Sequence, residues 1–490
     1  MADDRPNILL FGCESMDGRV LGHLGYPGAL TPNLDRLASE GVSFTSAYCN
    51  SPICNPSRSS MWTGRHIHEI GCWNNYTGLT YDTVTFATLL AQAGYRTGDM
   101  GRRDKTFGSH SLRCRCTTWG RRVNLSLPEN KAHHHAVSDD HYTNPFDRRN
   151  FNGDEPFKAD MNLLDWLSDA AKDERPFVCH FGVGAVHTGR GYIGARRFVD
   201  QIDPASVRLP PREPNPPPAI AYQGIAKHCP DDRDDDYVRA CRRNYYAYIA
   251  EMEEMVGELL DHCEPLGLLD NTWIFFISDH GDMQMEHGCL WGKGNMYDAA
   301  ARVPLIVRPP KGREAALEDR PVSLVDMLPT FCDIAGTEVP GYARGQSLVP
   351  DVTGGETRHC GDAVVQYHNA YLPGSCFALR RGPWKYTIYE DNGKLNPLLF
   401  NIADDPDEMN DLAGENPEKV AELDAALNRH MDVKAVVAEN TAWDRRMFTT
   451  WRASLSRDEY KRLLREEIYG CWGEEFTDDH LAKLEAWMGL

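Results

Sequence analysis

A mostly parallel α/β sheet flanked by helices, followed by a smaller antiparallel sheet with one helix, is the fold class the sequence predicts. Short continuous apolar runs, Asn7-Ile8-Leu9-Leu10-Phe11 and Trp273-Ile274-Phe275-Phe276-Ile277 among them, have the composition of strands buried on both faces. They alternate with helical segments, as strand–helix–strand units require. Four proposed strands end on polar residues, at Glu14, Arg102, His187 and the pair Asp279 and His280. In an open parallel sheet, ligands bind beyond the carboxyl ends of the strands.

In chain order, the first strand ends at Gly12-Cys13-Glu14. Residues 31–41 read as a helix, with Thr31 as cap, Pro32 in the first turn and Gly41 as stop. The segment around Cys54 leads into another helix, and residues 82–93, closed by Gly94, into the next. Tyr95-Arg96-Thr97-Gly98-Asp99-Met100 then reads as a strand running into Gly101 and Arg102. A helix near 160–172 precedes a strand over 176–183 that delivers His187. Residues 210–218 are proline-rich and predicted extended. The acidic run 231–236 opens a long amphipathic helix to about residue 262, its carboxylates where the helix dipole favours them. Trp273 to Ile277 and Val303 to Val307 are further strands. Beyond a polar, Gly-rich stretch, residues 363–367, 376–380 and 384–389 read as short strands, followed by a helix over 417–431 and charged, aromatic-rich helical pieces.

At 490 residues the chain exceeds one ordinary domain. The predicted division is a large α/β domain over 1–355, a small α+β subdomain over 356–432 and a helical tail over 433–490 packing on the large domain. Hydrophobic content of 41% and charged content of 25% are ordinary for a soluble globular protein. A net charge of −20 argues against nucleic acid or a membrane surface as partner. It also requires local positive charge at any site that takes an anion. No apolar run is long enough to span a membrane, and the polar N-terminus lacks a signal-peptide pattern. With 15 scattered cysteines, an odd number, the expectation is reduced thiols in a cytoplasm. The pair Cys114 and Cys116 reads as surface chance.

Cys54 stands two residues before Pro56 and four before Arg58. Pro56 suits a first helical turn, where its missing N–H would lack a partner anyway. That leaves Cys54 at a helix N-terminus, facing any anion with backbone N–H groups and the positive end of the dipole. A small buried cysteine in a loop is the plain alternative. Glu14, Asp279 and a neutral His280 nitrogen suit a hard divalent cation, calcium first, magnesium or manganese next, with Cys54 completing the shell. Taken singly, Asp279-His280-Gly281 also fits an ordinary turn, and Glu14 a solvated carboxylate.

The pattern Cys54-Asn55-Pro56-Ser57-Arg58, with Thr63-Gly64-Arg65 closing the helix, resembles the signature of the sulfatase family. That resemblance implies the alkaline-phosphatase-like sulfatase fold, and oxidation of Cys54 to formylglycine by a formylglycine-generating enzyme. The hydrated aldehyde would attack sulfur with one hydroxyl and expel sulfate with the other. Arg58 would support the hydrate, Lys293 would bind sulfate and assist the leaving group, and His187 would contact sulfate as a general acid. Substrate-binding roles pass to Arg102 and His228; independently of the resemblance, His368 in Gln366-Tyr367-His368 is a further candidate, reaching the pocket from the second domain. As residues alone, His187 also fits a satisfied loop histidine and His368 a core or surface one. Asn50-Ser51-Pro52-Ile53-Cys54, Cys72-Trp73-Asn74-Asn75, Gly94-Tyr95-Arg96-Thr97, Ser278-Asp279-His280-Gly281 and Asp404-Asp405-Pro406-Asp407-Glu408 are similar to the branch of the family acting on 2-sulfated glucuronate. Two positions depart from the family. Glu14 replaces an aspartate, one methylene longer, and Arg102, with Arg103 and Lys105 as alternatives, replaces a lysine. The expected activity is hydrolysis of a small anionic sulfate ester such as a sulfated uronic acid. The alternatives are a phosphonate monoester or phosphodiester hydrolase of the same superfamily, and a catalytically silent binding protein.

Overall fold

The computed structural model describes residues 4–75, 77–80, 82–101, 135–138, 163–188, 191–213, 215–227, 229, 233–368, 374–391, 393–465 and 477–488. Arg102, Arg103, Lys105, Cys114, Cys116 and His228 lie outside the described residues.

Fifteen strands are described. They are β1 (Asn7–Cys13), β2 (Val42–Phe44), β3 (Ala47–Tyr48), β4 (Arg96–Gly101), β5 (His135–Ser138), β6 (Phe177–Gly182), β7 (Tyr192–Ala195) and β8 (Thr272–Ser278), then β9 (Leu305–Arg308), β10 (Ala316–Glu318), β11 (Val322–Ser323), β12 (Asp362–His368), β13 (Ser375–Arg381), β14 (Trp384–Asp391) and β15 (Lys394–Asn401). Seven form the main sheet, in the order β10-β2-β9-β8-β1-β6-β4. Its centre is parallel, with β1 between β6 and β8 and β4 beyond β6. Only β9 runs against its neighbours β8 and β2.

Both faces are covered, which is why the strands read as unbroken apolar runs. Leu9 and Phe11 of β1 face a core shared with Tyr245 and Met252 of the long helix Asp235–Cys263. Ile8 and Leu10 face the opposite core, with Met61 and Trp62 of the helix Cys54–Thr63. The long helix starts where Asp234 caps it, its side chain accepting from the Tyr237 N–H at 2.8 Å. It then pins the loop after β1, because the Tyr245 hydroxyl donates to the Ser15 carbonyl at 2.7 Å and accepts from the Asp17 N–H at 2.9 Å. The helix expected over 82–93 begins only at Phe86, since Thr85 takes the cap position.

The smaller sheet is antiparallel throughout, β12-β13-β14-β15. Its fourth strand is absent from the sequence expectations. Polar residues and Pro397 disguise it, and an edge strand tolerates both. The helix Pro417–His430 packs Leu423 and Leu427 on this sheet, and Val433 and Val436 of the tail join the same core. Phe448, Trp451, Tyr460 and Leu481 close a separate small core within the tail.

Candidate active site

Register brings the first two site residues together. Cys13 of β1 pairs with Ser278 of β8, so Glu14 and Asp279 leave adjacent parallel strands side by side. The loop after β6 locks onto the same end, with the Glu14 N–H donating to the Ala185 carbonyl at 2.7 Å and the Val186 N–H to the Glu14 carbonyl at 2.5 Å. That places His187 beside Glu14, Nε2 to Oε1 at 3.5 Å, with the histidine side chain 35% exposed at the mouth.

The fully buried helix Cys54–Thr63 aims its first residue into this corner. Its start is completed from outside: the Asn55 N–H donates to Asn75 Oδ1 at 2.8 Å, Pro56 has no N–H, and the Ser57 N–H reaches the Ile53 carbonyl at 3.1 Å. Ser57 Oγ also donates to the Asp279 carbonyl at 2.5 Å, tying helix to strand end. Asn75 sits in a stretch marked only by family likeness, and its capping role had no local signal.

The Cys54 thiol donates to Glu14 Oε1 at 3.0 Å and lies 3.4 Å from His280 Nε2. Lys293 Nζ donates to Cys54 Sγ at 2.9 Å and lies 3.6 Å from Glu14 Oε1. Arg58 Nη2 bridges both carboxylates, 3.0 Å from Asp279 Oδ2 and 3.4 Å from Glu14 Oε2. His280 Nδ1 sits 2.9 Å from the Gly281 carbonyl, which can only accept, so Nδ1 carries the proton and Nε2 presents a lone pair. Burial opposes the charge on Lys293, but Cys54, Glu14 and Asp279 together hold its ammonium well above the ordinary range.

These residues fit a divalent cation. Ligand atoms of Glu14, Cys54, Asp279 and His280 all lie within 4.8 Å of one another, so acceptors converge on acceptors. Asp279 Oδ2 is buried without an aligned hydrogen bond despite its ion pair with Arg58. The longer side chain of Glu14 still reaches the cluster.

Six sequence-predicted residues therefore meet here, Glu14, Cys54, Arg58, Asp279, His280 and Lys293, with His187 at the rim. His368 is placed elsewhere. It is fully buried, its Nδ1 2.8 Å from Ser375 Oγ and its ring edge-on to Trp73 at 4.9 Å. Burial, with His68 adding, pushes its imidazole down to about 3. At the end of a strand, sequence does not distinguish a core-facing histidine from a pocket-facing one.

A family profile described as Sulfatase matches residues 6–337, and one described as N-sulphoglucosamine sulphohydrolase, C-terminal, matches 285–436. Arylsulfatase K of Bos taurus is 31% identical over 489 residues, covering 93% of this chain and 87% of that protein. Arylsulfatase K of Homo sapiens is 31% identical over 494 residues, covering 96% and 90%. Among solved structures, the phosphonate monoester hydrolase of Agrobacterium radiobacter aligns with a TM-score of 0.68 at 21% identity, covering 87% of this chain and 96% of that one. A protein solved with its substrate D-glucosamine-2-N,6-O-disulfate aligns at 0.67 and 22% identity, covering 89% and 99%. These two likenesses bear on the fold alone.

Proposed function

The chain belongs to the sulfatase family and is a sulfuric ester hydrolase, and from that premise we propose that it hydrolyses a small sulfated sugar or uronic acid through a formylglycine made from Cys54. The observation that carries this reading is the placement of the Cys54 sulfur at a helix N-terminus, within hydrogen-bond reach of both Glu14 and the Lys293 ammonium. In this reading the sulfur stands where a hydroxyl of the aldehyde hydrate would be, one hydroxyl serving to attack sulfur and the other to expel sulfate. Glu14, Asp279, His280 and residue 54 would hold a divalent cation, calcium first, which when bound polarises the sulfuryl group.

The chain's own groups divide the remaining work. Lys293, whose Nζ reaches the position of residue 54, supplies positive charge toward sulfate oxygens and the departing oxygen. Arg58 balances the two carboxylates and orients the nucleophile's position. In this reading His187, partly exposed at the rim beside Glu14, protonates a leaving alcohol. Arg102 and His228 are assigned to substrate on family likeness alone. A cytoplasmic address rests on the 15 scattered cysteines, an odd number with no disulfide-framework spacing. Fractionation of the source cells tests that address.

The deciding experiment is the mass of the peptide containing Cys54, from protein co-expressed with a formylglycine-generating enzyme. An aldehyde mass is expected, and an unmodified thiol would overturn the nucleophile. Kinetics on sulfate monoesters against phosphonate monoesters and phosphodiesters then test the preference within the superfamily. Elemental analysis should find stoichiometric divalent metal; its absence would favour a silent binding protein.

A further inference from the structure

The loop that carries Lys293 is held from behind by the helix Pro218–Ala226 and the turn that follows it. Gln223 and Lys227 lie four residues apart, and the Lys227 N–H reaches the Gln223 carbonyl at 2.9 Å, so both side chains share one face. Gln223 is fully buried. Its Nε2 donates to the Gly294 carbonyl at 2.7 Å, and its Oε1 accepts from Asn295 Nδ2 at 2.8 Å. Lys227 is 3% exposed. Its ammonium donates to the Trp291 carbonyl at 2.9 Å and to the Lys293 carbonyl, and the Trp291 indole N–H returns to the Lys227 carbonyl at 3.3 Å. Gly292 is held as well, its N–H donating to Asp282 Oδ1 at 3.2 Å and its carbonyl accepting from the Met283 N–H at 2.7 Å.

Gly292 and Gly294 sit at φ +68° and +97°, so this stretch follows neither helix nor strand and depends on these side-chain bonds for its shape. Two backbone carbonyls of this loop accept from the buried Lys227 ammonium. Burial pushes that ammonium down to about 8, against help from Cys229 and Asp282 and with Lys293 adding to the push. The arrangement ends on the backbone of Lys293, whose Nζ touches Cys54, and so couples the buried helix face to the pocket.

We propose that Lys227 and Gln223 are positioning residues that fix the 291–295 loop so that the Lys293 ammonium stays against the nucleophile's position. The proposal rests on the sulfatase reading of the site for its consequence, but on the hydrogen bonds alone for its geometry.

A double-mutant cycle tests it on the full chain with a sulfate monoester. Lys227→Met should lower kcat/KM by roughly 10- to 100-fold, Gln223→Ala by about 10-fold, and Lys227→Arg, which keeps donors, by about threefold at most. In a Lys293→Ala background, Lys227→Met should change kcat/KM by less than about twofold, because the group it positions is gone. Independent, multiplying losses would overturn the proposal. Should Lys227→Met fail to fold, Gln223→Ala carries the same cycle. If the parent hydrolyses no sulfate ester, the functional reading fails by itself, and crystals of Lys227→Met or Gln223→Ala decide the geometry. The 2.9 Å contact from Lys293 Nζ to Cys54 Sγ should be lost, and an unchanged contact would sink the proposal.

Discussion

The seam between the large and small sheets and the pocket beyond β1 and β8 both bury pairs of carboxylates, and they settle the charge in opposite ways. At the seam, Asp298 accepts from the Tyr48 hydroxyl at 2.9 and 3.0 Å and from Lys385 Nζ at 2.7 Å. Lys385 lies equally close to Glu408, 2.7 Å away, and Glu408 accepts from the Asp298 N–H at 2.5 Å. Burial opposes the charge on Asp298, but Lys385, Arg302 and Arg380 hold its carboxyl well below the usual carboxylate range. Acceptors there face donors, and the chain completes the cluster from its own residues. In the pocket Arg58 and Lys293 also stand beside the carboxylates, but four ligand atoms converge on one another as well, which suits a guest. A third solution appears in the tail, where Asp444 is 5% exposed, its Oδ1 has no hydrogen-bond partner among the described residues, and burial pushes its carboxyl up to about 8. It settles the same problem by keeping a proton. Buried carboxylates are thus accommodated by protein donors, by a proton, or in a cluster open to a guest, and only the last leaves room for chemistry.

The largest effect should separate pocket from seam. Cys54→Ala is expected to lower turnover by about 10⁴-fold or more with the thermal midpoint near that of the parent. Activity close to the parent's would end the assignment of the pocket to chemistry. Lys385→Met should do the reverse. It removes the ammonium that Asp298 and Glu408 share and is expected to cost ~3–5 kcal/mol in denaturant unfolding, while kcat per folded molecule stays within about threefold. Chelation sharpens the contrast further. Stripping the metal should abolish turnover and lower stability by about 2.7 kcal/mol where the metal stands at about 100 times its Kd, in the parent and in seam variants alike. An unchanged thermal midpoint after chelation would mean that the pocket binds no ion.

The tail gives the pH-dependent contrast, at Asp444. Its carboxyl is raised in the folded state from 3.8 to about 8, so its contribution is full below pH 3.8 and is lost as pH rises through about 8. Asp444→Asn should therefore gain thermal stability over the parent at pH 8 and not at pH 4. Parallel melting profiles from pH 4 to 8 would show that this carboxylate has another partner.

Legibility in the sequence followed the same division. Strand ends were readable because both faces of β1 and β8 are buried and their apolar runs stop abruptly at Glu14 and Asp279. Cys54 was readable from Pro56 and from family likeness. Lys385 in β14 and Asp298 look like ordinary surface residues until the small sheet docks, and Gln223 and Lys227 carry no motif at all. His368 is the last residue of β12, yet it turns into packing with Trp73 and Phe377.

By itself, then, the sequence determined the mostly parallel sheet, the family and the identity of the residues at the ends of β1 and β8, because burial periodicity and a short motif are local properties of the chain. Tertiary structure alone decided which of those residues meet. Glu14 and Asp279 became neighbours through strand register, Cys54 joined them through a helix start completed by Asn75, and Lys293 arrived on a glycine loop held by a distant helix. Those contacts span many tens of residues along the chain, and only packing of the whole sheet sets their distances.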